Sequence, residues 1–338
     1  MWQRLFNSLL KRLVKTALWF YFSEIEVVGN WKPYKHRPTL IIANHQNALL
    51  DALLIATFID LKPYFLARAS VFKNPLIAKI LAFMRMVPVY RIRDGFGTIS
   101  GNNKSFALCK SILKKNGKIL IFPEGNHSLK RRIRPLSKGF TRIVAATLAD
   151  DPSFDLIILP IGLSYQAHQK SGSKALLEIG APISAKDYFG EERKLVKQSK
   201  KALECLSLHL PEENYDNSIK HILQSDVDIT KCRGNTVMNS NEELKPASKW
   251  KNGLFKILHL PHWLVWKWIE RKVEDPVFYG TIKFCIGLVG IPLYYLGLLI
   301  VFSKLFSTAL ALICILILSL VLKMNSNHYN IDEEKLIK

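Results

Sequence analysis

Short apolar runs alternate with helical stretches between residues 39 and 183. Four mostly apolar runs have the length of buried strands: 40–43, 87–90, 118–122 and 155–161. Three segments between them have helical periodicity: 48–59, 102–115 and 136–149. This alternation predicts an α/β domain with a largely parallel mixed sheet flanked by helices. A further strand is predicted at 175–179, followed by an amphipathic helix at 187–208.

The first 22 residues predict an amphipathic helix that lies in a membrane interface. Leucine and aromatic residues crowd most of its surface, and the basic residues share one side: Arg4, Lys11, Arg12 and Lys15. A signal peptide is disfavoured because no small-residue cleavage site follows the apolar run. A helix that docks on the protein core is the alternative interpretation.

Two uncharged runs near the C-terminal end, at 284–302 and 305–322, are separated only by Ser303 and Lys304. At about 1.5 Å per residue, each run approaches the ~30 Å thickness of the hydrocarbon core. The pattern predicts a transmembrane helical hairpin or a hairpin embedded in one leaflet, with a buried hairpin of a soluble core as the alternative. An interfacial segment is predicted before it, where tryptophans adjoin basic residues: Trp263, Trp266, Trp268, Lys267, Arg271 and Lys272.

These patterns divide the chain into five predicted segments. They are an interfacial helix (1–30), the α/β domain (31–210), a helix with a polar linker (211–252), the interfacial segment with the hairpin (253–323), and a polar tail (324–338). The formal net charge of +21 implies an anionic partner. The apolar hairpin favours anionic lipid headgroups over nucleic acid, and binding of nucleic acid is not expected. Five scattered cysteines indicate neither a disulfide framework nor a metal site, so no metal is predicted.

The first candidate site follows the run at 40–43. His45 is placed after a strand and before a helix, at the rim where open α/β sheets bind their ligands. Asp51 comes six positions later, so its carboxylate can reach back to the imidazole. Such a contact would fix the tautomer and stabilise the imidazolium that forms when the ring takes a proton. By itself, this pair is common in unrelated proteins.

The second candidate site follows the run at 118–122, where Pro123, Glu124 and Gly125 end the strand. The turn presents a carboxylate, the glycine permits a tight bend, and free N–H groups can bind an anion. An ordinary turn with a solvated glutamate is the alternative. The other two apolar runs supply one residue each. Arg91 follows the run at 87–90 and suits bidentate contact with a phosphate, and Pro160 lies within the run at 155–161.

In order and spacing, these four blocks over roughly residues 35–185 resemble the glycerol-3-phosphate and 1-acylglycerol-3-phosphate acyltransferase family. The family usually has the aspartate five residues after the histidine. The longer spacing from His45 to Asp51 resembles the fungal-type glycerol-3-phosphate acyltransferases. The second block has Met86 where the family usually has glycine. The third has Asn126 and His127 in place of Thr-Arg.

The resemblance implies an activity and a role for each matched residue. A fatty acyl group would pass from acyl-CoA or acyl-carrier protein, used as a substrate and without a cofactor, to a glycerol-phosphate hydroxyl in phosphatidic acid synthesis. His45 would act as the general base and Asp51 would orient it. The residues implied to bind substrate are Asn44, Arg91, Glu124, Gly125 and Lys138.

Other interpretations stay open. The basic run 130–134 predicts contact with headgroups or donor phosphates, or else a solvated basic face, and His127 is interpreted as a bystander. The acceptor could instead be another lysolipid, such as a lyso-aminolipid. A membrane-anchored protein that binds anionic lipid without catalysis is the rival class. The expected location is the inner (cytoplasmic) membrane, with the catalytic domain facing the cytoplasm.

Overall fold

The computed structural model describes residues 2–90, 99–224, 227–235 and 249–325. The helices are α1 (Trp2–Tyr21), α2 (Ala48–Phe58), α3 (Pro75–Phe83), α4 (Ile99–Lys114), α5 (Gly139–Leu148), α6 (Glu192–Leu206), α7 (Tyr215–Gln224), α8 (Lys249–Leu258), α9 (Leu260–Glu270), α10 (Phe278–Leu305) and α11 (Thr308–Asn325). The strands are β1 (Glu24–Val28), β2 (Thr39–Ala43), β3 (Tyr64–Arg68), β4 (Met86–Val89), β5 (Lys118–Ile121), β6 (Ile157–Tyr165), β7 (Lys174–Ile179) and β8 (Ile183–Ser184).

The strands form one sheet in the order β1-β7-β6-β2-β5-β3-β4, with β8 pairing β6. Most pairs are parallel, whereas β6 runs antiparallel to both β7 and β8. The predicted fold class, a largely parallel mixed sheet flanked by helices, is therefore confirmed. β2 lies centrally between β5 and β6, and all five of its residues are buried. Strands buried on both faces of a sheet are continuous apolar runs, which is why the sequence revealed β2.

Two apolar layers cover the sheet. One layer packs α2, the C-terminal half of α1 and the start of α10 on one face, with Leu18, Leu54 and Phe284 at its centre. The other packs α4, α5 and α6 on the opposite face, around Leu113, Phe140 and Leu203. Because α1 contributes Val14 and Leu18 to the first layer, its C-terminal half docks on the core, as the alternative interpretation expected.

Four strands and helices before residue 210 were not predicted: β1, β3, α3 and the two-residue strand β8. β1 lies within the segment expected to be interfacial helix and pairs with β7, while β3 and α3 lie between the predicted helix at 48–59 and the predicted strand at 87–90. β6 is also longer than the predicted run and extends to Tyr165. The helix predicted at 187–208 is shorter, because Ala185–Tyr188 forms a 3-10 turn before α6.

The C-terminal region forms the predicted helical hairpin. α10 and α11 pack on each other and are broken at Phe306 and Ser307. Among the described residues, α10 is the one helix that is long and apolar enough to span a membrane. α11 has a shorter apolar stretch, Thr308–Lys323. The hairpin returns to its starting side: Tyr21 Oη donates to the carbonyl of Gly280 at 3.2 Å, and Lys323 Nζ donates to the carbonyl of Trp19 at 2.7 Å.

Candidate active site

Asn44 fixes the end of the central strand at the candidate site. Its Nδ2 donates to the carbonyl of Leu163 at 2.9 Å, and the Leu163 N–H donates to its Oδ1 at 2.7 Å. Both groups of the amide thus clamp β2 to β6, and the side chain is fully buried. Asn44 positions the loop that begins at His45, while its predicted contact with substrate stays a prediction.

The predicted contact between His45 and Asp51 is confirmed, with 2.8 Å between Nδ1 and Oδ2. Asp51 is fully buried in the first turns of α2, and its Oδ2 also accepts the backbone N–H groups of Gln46 and Asn47 at 2.9 and 2.8 Å. Because this oxygen accepts every other hydrogen bond it makes, His45 Nδ1 carries the proton. Whenever the ring is neutral, its lone pair is therefore on Nε2. Within the described part of the chain, that atom has no hydrogen-bond partner.

Tyr165, the last residue of β6, forms a hydrogen bond with the other carboxylate oxygen of Asp51. Its hydroxyl donates to Asp51 Oδ1 at 2.5 Å, and its side chain is fully buried. Burial and the adjacent Asp51 carboxylate raise the pKa of Tyr165 well above its ordinary value, so the phenol stays protonated and donates. Asp51 thus accepts four hydrogen bonds, which fix both of its oxygens.

Aromatic rings hold the imidazole of His45 in place. The ring of Phe122 stacks on it with centroids 4.0 Å apart and planes 10° apart. His127 lies edge-on at 5.7 Å and also contacts the ring of Phe278 at 4.7 Å. His127, interpreted from sequence as a bystander, therefore lies between His45 and the first residue of α10.

The predicted turn at Phe122, Pro123, Glu124 and Gly125 follows β5 directly. The N–H of Gly125 donates to the carbonyl of Phe122 at 3.1 Å. Gly125 has a φ of +77°, which other residues rarely adopt, and the space a Cβ would fill is open. The position therefore requires glycine for its backbone conformation, and the open space leaves room beside the turn.

Glu124 is buried, which excludes the solvated glutamate of the alternative interpretation. Its Oε1 accepts the backbone N–H of His45 at 3.1 Å, and its Oε2 accepts Arg134 Nε at 2.6 Å. Burial raises the pKa of Glu124, and the Arg134 guanidinium and the His45 N–H oppose that shift. The carboxylate ties the turn after β5 to the loop after β2, while its predicted contact with the glycerol end stays a prediction.

The basic run 130–134 is built into this framework rather than forming a solvated face. Arg131 is buried and donates to the carbonyls of Tyr165 and Gln166 at 2.6 and 2.9 Å. Arg132 pairs with Glu212 at 2.9 Å, and Arg134 pairs with Glu124. The arginines therefore fix the strand end that carries Tyr165 and the turn that carries Glu124.

Together these contacts form a rigid site with a protein-held imidazole beside an open turn. A neutral imidazole with a buried carboxylate on Nδ1 can accept a proton at Nε2. The nearest serine contact is with the His45 backbone, whose carbonyl accepts the N–H of Ser128 at 3.1 Å.

Residues 24–164 match the family model described as Acyltransferase. This part of the chain belongs to the acyltransferase family. The match runs from β1 to the penultimate residue of β6, so it includes both candidate sites and ends just before Tyr165.

Curated relatives agree with this assignment. The chain is 31% identical over 90 residues to glycerol-3-phosphate O-acyltransferase 2 of Saccharomyces cerevisiae, a match covering 27% of this chain and 12% of that protein. It is 28% identical over 128 residues to the chloroplastic 1-acyl-sn-glycerol-3-phosphate acyltransferase BAT2 of Brassica napus, covering 38% and 35%. The matches thus span well under half of these relatives' own lengths. The crystal structure of the 1-acyl-sn-glycerophosphate acyltransferase PlsC from Thermotoga maritima aligns at 18% identity over 66% of this chain and 82% of that one, with a TM-score of 0.42.

Two predicted substrate residues remain, Arg91 and Lys138. Arg91 falls outside the described residues. Lys138 is exposed at the N-terminus of α5, where it lines a shallow depression with Phe189 and Arg193. Its neighbour Ser137 donates its N–H to the carbonyl of Pro123 at 2.7 Å, so the start of α5 adjoins the turn. The roles predicted for Arg91 and Lys138 stay predictions.

The start of α10 packs directly on the loop after β2. A Cβ placed on Gly280 would lie 2.7 Å from Asn47 Oδ1 and 2.8 Å from the carbonyl of His168, so only glycine fits. Thr281 Oγ1 accepts the N–H of Leu49 at 3.3 Å. The hairpin and the acyltransferase domain therefore share an interface two to four residues after His45.

Several residues of the site were missed from sequence. Gln46 Oε1 lies 3.0 Å from Nε2 of the buried His168, and its Nε2 donates to the carbonyl of Lys130 at 3.3 Å. Gln46 carried a signal, because it adjoins His45. Nothing in the sequence marked Tyr165 or His168. Their roles depend on hydrogen bonds to Asp51 and Gln46, which are more than 100 positions away in the sequence.

Proposed function

We propose that this chain is a membrane-bound O-acyltransferase. It transfers a fatty acyl group from acyl-CoA or acyl-carrier protein to glycerol 3-phosphate or 1-acylglycerol 3-phosphate. The observation that carries the proposal is the His45–Asp51 pair beside the turn at Phe122–Gly125. The names of the relatives support the acceptor class, since they include both a glycerol-3-phosphate and a 1-acylglycerol-3-phosphate acyltransferase.

In the proposed reaction, His45 Nε2 takes the proton of the acceptor hydroxyl as its oxygen attacks the thioester carbonyl. The C–O bond forms, the C–S bond breaks, and the imidazolium returns the proton to the departing thiolate. Asp51 stabilises the imidazolium, because a buried carboxylate interacts strongly with a charge at hydrogen-bond distance. Open space beside Gly125 is where the acceptor would enter.

The phosphate of the acceptor is assigned to Arg91. Support comes from its position in the sequence, directly after β4 and Tyr90. The backbone there is fixed, because the N–H of Tyr90 donates to Asn102 Oδ1 at 3.0 Å. Arg91→Ala should raise the KM for the phosphorylated acceptor much more than the KM for the donor. Arg91→Lys should restore function only in part, because an ammonium lacks the bidentate fork.

The proposed location is the inner membrane, with the hairpin inserted and the acyltransferase domain on the cytoplasmic side. Support comes from α10 and from the basic residues that precede its uncharged run, since cytoplasmic flanks carry the positive excess: Lys267, Arg271, Lys272 and Lys283. Anionic headgroups would attract the highly basic chain to that surface.

The test is acyl transfer by the purified full chain with both donor types and a panel of labelled acceptors. His45→Ala should lower kcat by about 10²-fold or more, the range of general-base assistance. Asp51→Asn should also lower kcat while keeping the fold, because its amide can donate to Tyr165 and its oxygen can accept from His45. Folding is checked by circular dichroism.

A His45→Ala variant that keeps more than a tenth of wild-type activity would exclude His45 as the general base. If the enzyme acylates only a lyso-aminolipid among the acceptors tested, that lipid replaces glycerol 3-phosphate and 1-acylglycerol 3-phosphate as the proposed acceptor.

A further inference from the structure

α3 is a short helix with an unusual environment. Eight of its nine residues are apolar, and Lys79 is the exception. Described over its whole length, α3 has no buried side chain, and Leu76 and Ile80 are 68% and 52% exposed. A helix that is apolar on all sides is ordinarily enclosed by a protein core or a membrane. The protein core does not enclose α3.

α1 extends this apolar surface. The N-terminal half of α1 exposes Leu5, Phe6, Leu9 and Leu13, and the rings of Phe6 and Phe83 are in edge contact with centroids 5.3 Å apart. The two helices therefore share one apolar surface, here named the α1–α3 surface, formed by Leu5, Phe6, Leu9, Leu13, Leu76, Ile77, Ile80 and Phe83. Exposed apolar patches of this kind mark sites of association with proteins or membranes.

The charge around this surface favours an anionic partner. Residues 61–93 contain no aspartate or glutamate, and they include five basic residues in the described part: Lys62, Arg68, Lys73, Lys79 and Arg85. Lys73 and Lys79 are exposed beside the apolar side chains. Long lysine side chains can lie along an apolar surface while their ammonium groups reach the headgroups.

The helix that carries part of this surface also reaches the hairpin. The C-terminal end of α1 contacts both α10 and α11, through the hydrogen bond from Tyr21 to Gly280 and those from Lys323 to the carbonyls of Trp19 and Phe22. α1 therefore connects the hairpin at one end with α3 at the other. From Phe6 to Tyr21 the helix rises by about 22 Å.

We propose that the α1–α3 surface inserts into a leaflet of anionic phospholipid, with α3 as a second membrane-binding element beside α1. This inference rests on the membrane attachment in the proposed function and deepens it. The acyltransferase domain would then touch the bilayer at two places, the hairpin and the α1–α3 surface, rather than at the hairpin alone. A second copy of the chain on the same surface would be a different occupant, which the experiment distinguishes.

The experiment uses the full chain reconstituted in vesicles of equimolar phosphatidylcholine and phosphatidylglycerol. The photoreactive amino acid benzoylphenylalanine replaces Leu76, Ile80 or Leu9, one at a time. The matched control is Leu108 on α4, which is 46% exposed and has no acidic neighbour within its own turn. After irradiation, mass spectrometry detects adducts with phospholipid or between copies of the chain. Acyl transfer to soluble glycerol 3-phosphate is measured in the same samples.

Phospholipid adducts at positions 76 and 80 as abundant as at 9, and at least tenfold more abundant than at 108, are expected. In pure phosphatidylcholine the yield at 76 and 80 should fall several-fold. Adducts at 9 but not at 76 or 80 would overturn the proposal, as would chain-to-chain adducts at 76 and 80, or equal yields at 108. Because crosslinking needs no acyl transfer, its failure is separate from failure of the proposed reaction.

Discussion

The hydroxyl of Tyr165 donates a 2.5 Å hydrogen bond to the oxygen of Asp51 that does not face His45. Asp51 is thereby fixed from two sides, by Tyr165 on Oδ1 and by three N–H donors on Oδ2. A donor to a carboxylate lowers its basicity, so Tyr165 acts on the imidazole through the aspartate. Its proposed role is therefore that of a positioning residue.

Tyr165→Phe should lower kcat, because Asp51 is then held through Oδ2 alone and positions His45 less well. It should also shift the acid limb of the kcat/KM profile to higher pH. Without the phenol, Asp51 holds more charge density at His45 and stabilises the imidazolium. The variant should also unfold at lower temperature, because a buried unpaired carboxylate oxygen costs about 1–3 kcal/mol. The measurement is a pH–rate profile with thermal unfolding of the same samples.

Ser164→Ala is the matched control for Tyr165→Phe. Ser164 also lies buried in β6, and its hydroxyl has no partner within the described part of the chain. The control should leave the pH profile unchanged. A Tyr165→Phe variant whose activity falls with no shift in the profile would reduce Tyr165 to a packing role.

Ala48 begins α2 with a φ of +42°, a conformation that costs a non-glycine residue about 1 kcal/mol. It lies between His45 and Asp51, in the loop where this chain has the longer spacing. Ala48→Gly should therefore be close to neutral in stability. Ala52→Gly, in the ordinary helical part of α2, should cost about 1 kcal/mol. Thermal unfolding measures both, and equal destabilisation would contradict the strain at Ala48.

His209 supports the basic run from the far side, because its Nδ1 accepts the N–H of Ile133 at 2.9 Å. Burial lowers its pKa from the ordinary value of 6.5, Lys200 and Arg132 add to that shift, and Glu204 opposes it. Only the neutral ring can accept the hydrogen bond from Ile133. Its contribution to stability is therefore complete above pH 6.5 and is lost as the pH falls towards the folded-state pKa. His209→Asn keeps an acceptor that does not titrate.

The midpoint of thermal unfolding should thus fall less for His209→Asn than for the wild type between pH 7.5 and 5.5. Other histidines titrate in the same range, so the comparison is the difference between the two proteins. An identical pH dependence would exclude His209 as a contributor.

The hairpin topology is tested with a chain that lacks its five native cysteines. Single cysteines are introduced and labelled with a membrane-impermeant reagent in sealed, right-side-out vesicles. Lys304 lies at the hairpin tip, so Lys304→Cys should react from outside, whereas Asn327→Cys should not. If both react only after the membrane is opened, the hairpin lies within one leaflet, the alternative that the sequence left open.

The sequence predicted what depends on local pattern. β2 and β5 were predicted because buried central strands are apolar runs. The contact between His45 and Asp51 was predicted because the two residues are six positions apart, on one loop and the helix that follows it. α3 was missed because an apolar helix with no polar face has no periodicity to detect. β3 is half-buried along its length, so its pattern is weak. The bond from Tyr165 to Asp51 spans 114 positions, and only the order of strands brings them together.

The hydrogen bond from Tyr21 to Gly280 joins residues 259 positions apart, and Lys323 bonds a carbonyl of α1 across 304. During synthesis, the N-terminal helix therefore emerges long before the helices that complete its environment. Until α10 is made, the loop that carries His45 lacks the backbone that packs on Asn47. The ribosome would thus finish residues 24–164 while the loop after β2 is still uncovered on the side where α10 packs. Under the proposed function, acyl transfer should then appear only after α10 has been made and has packed on this loop.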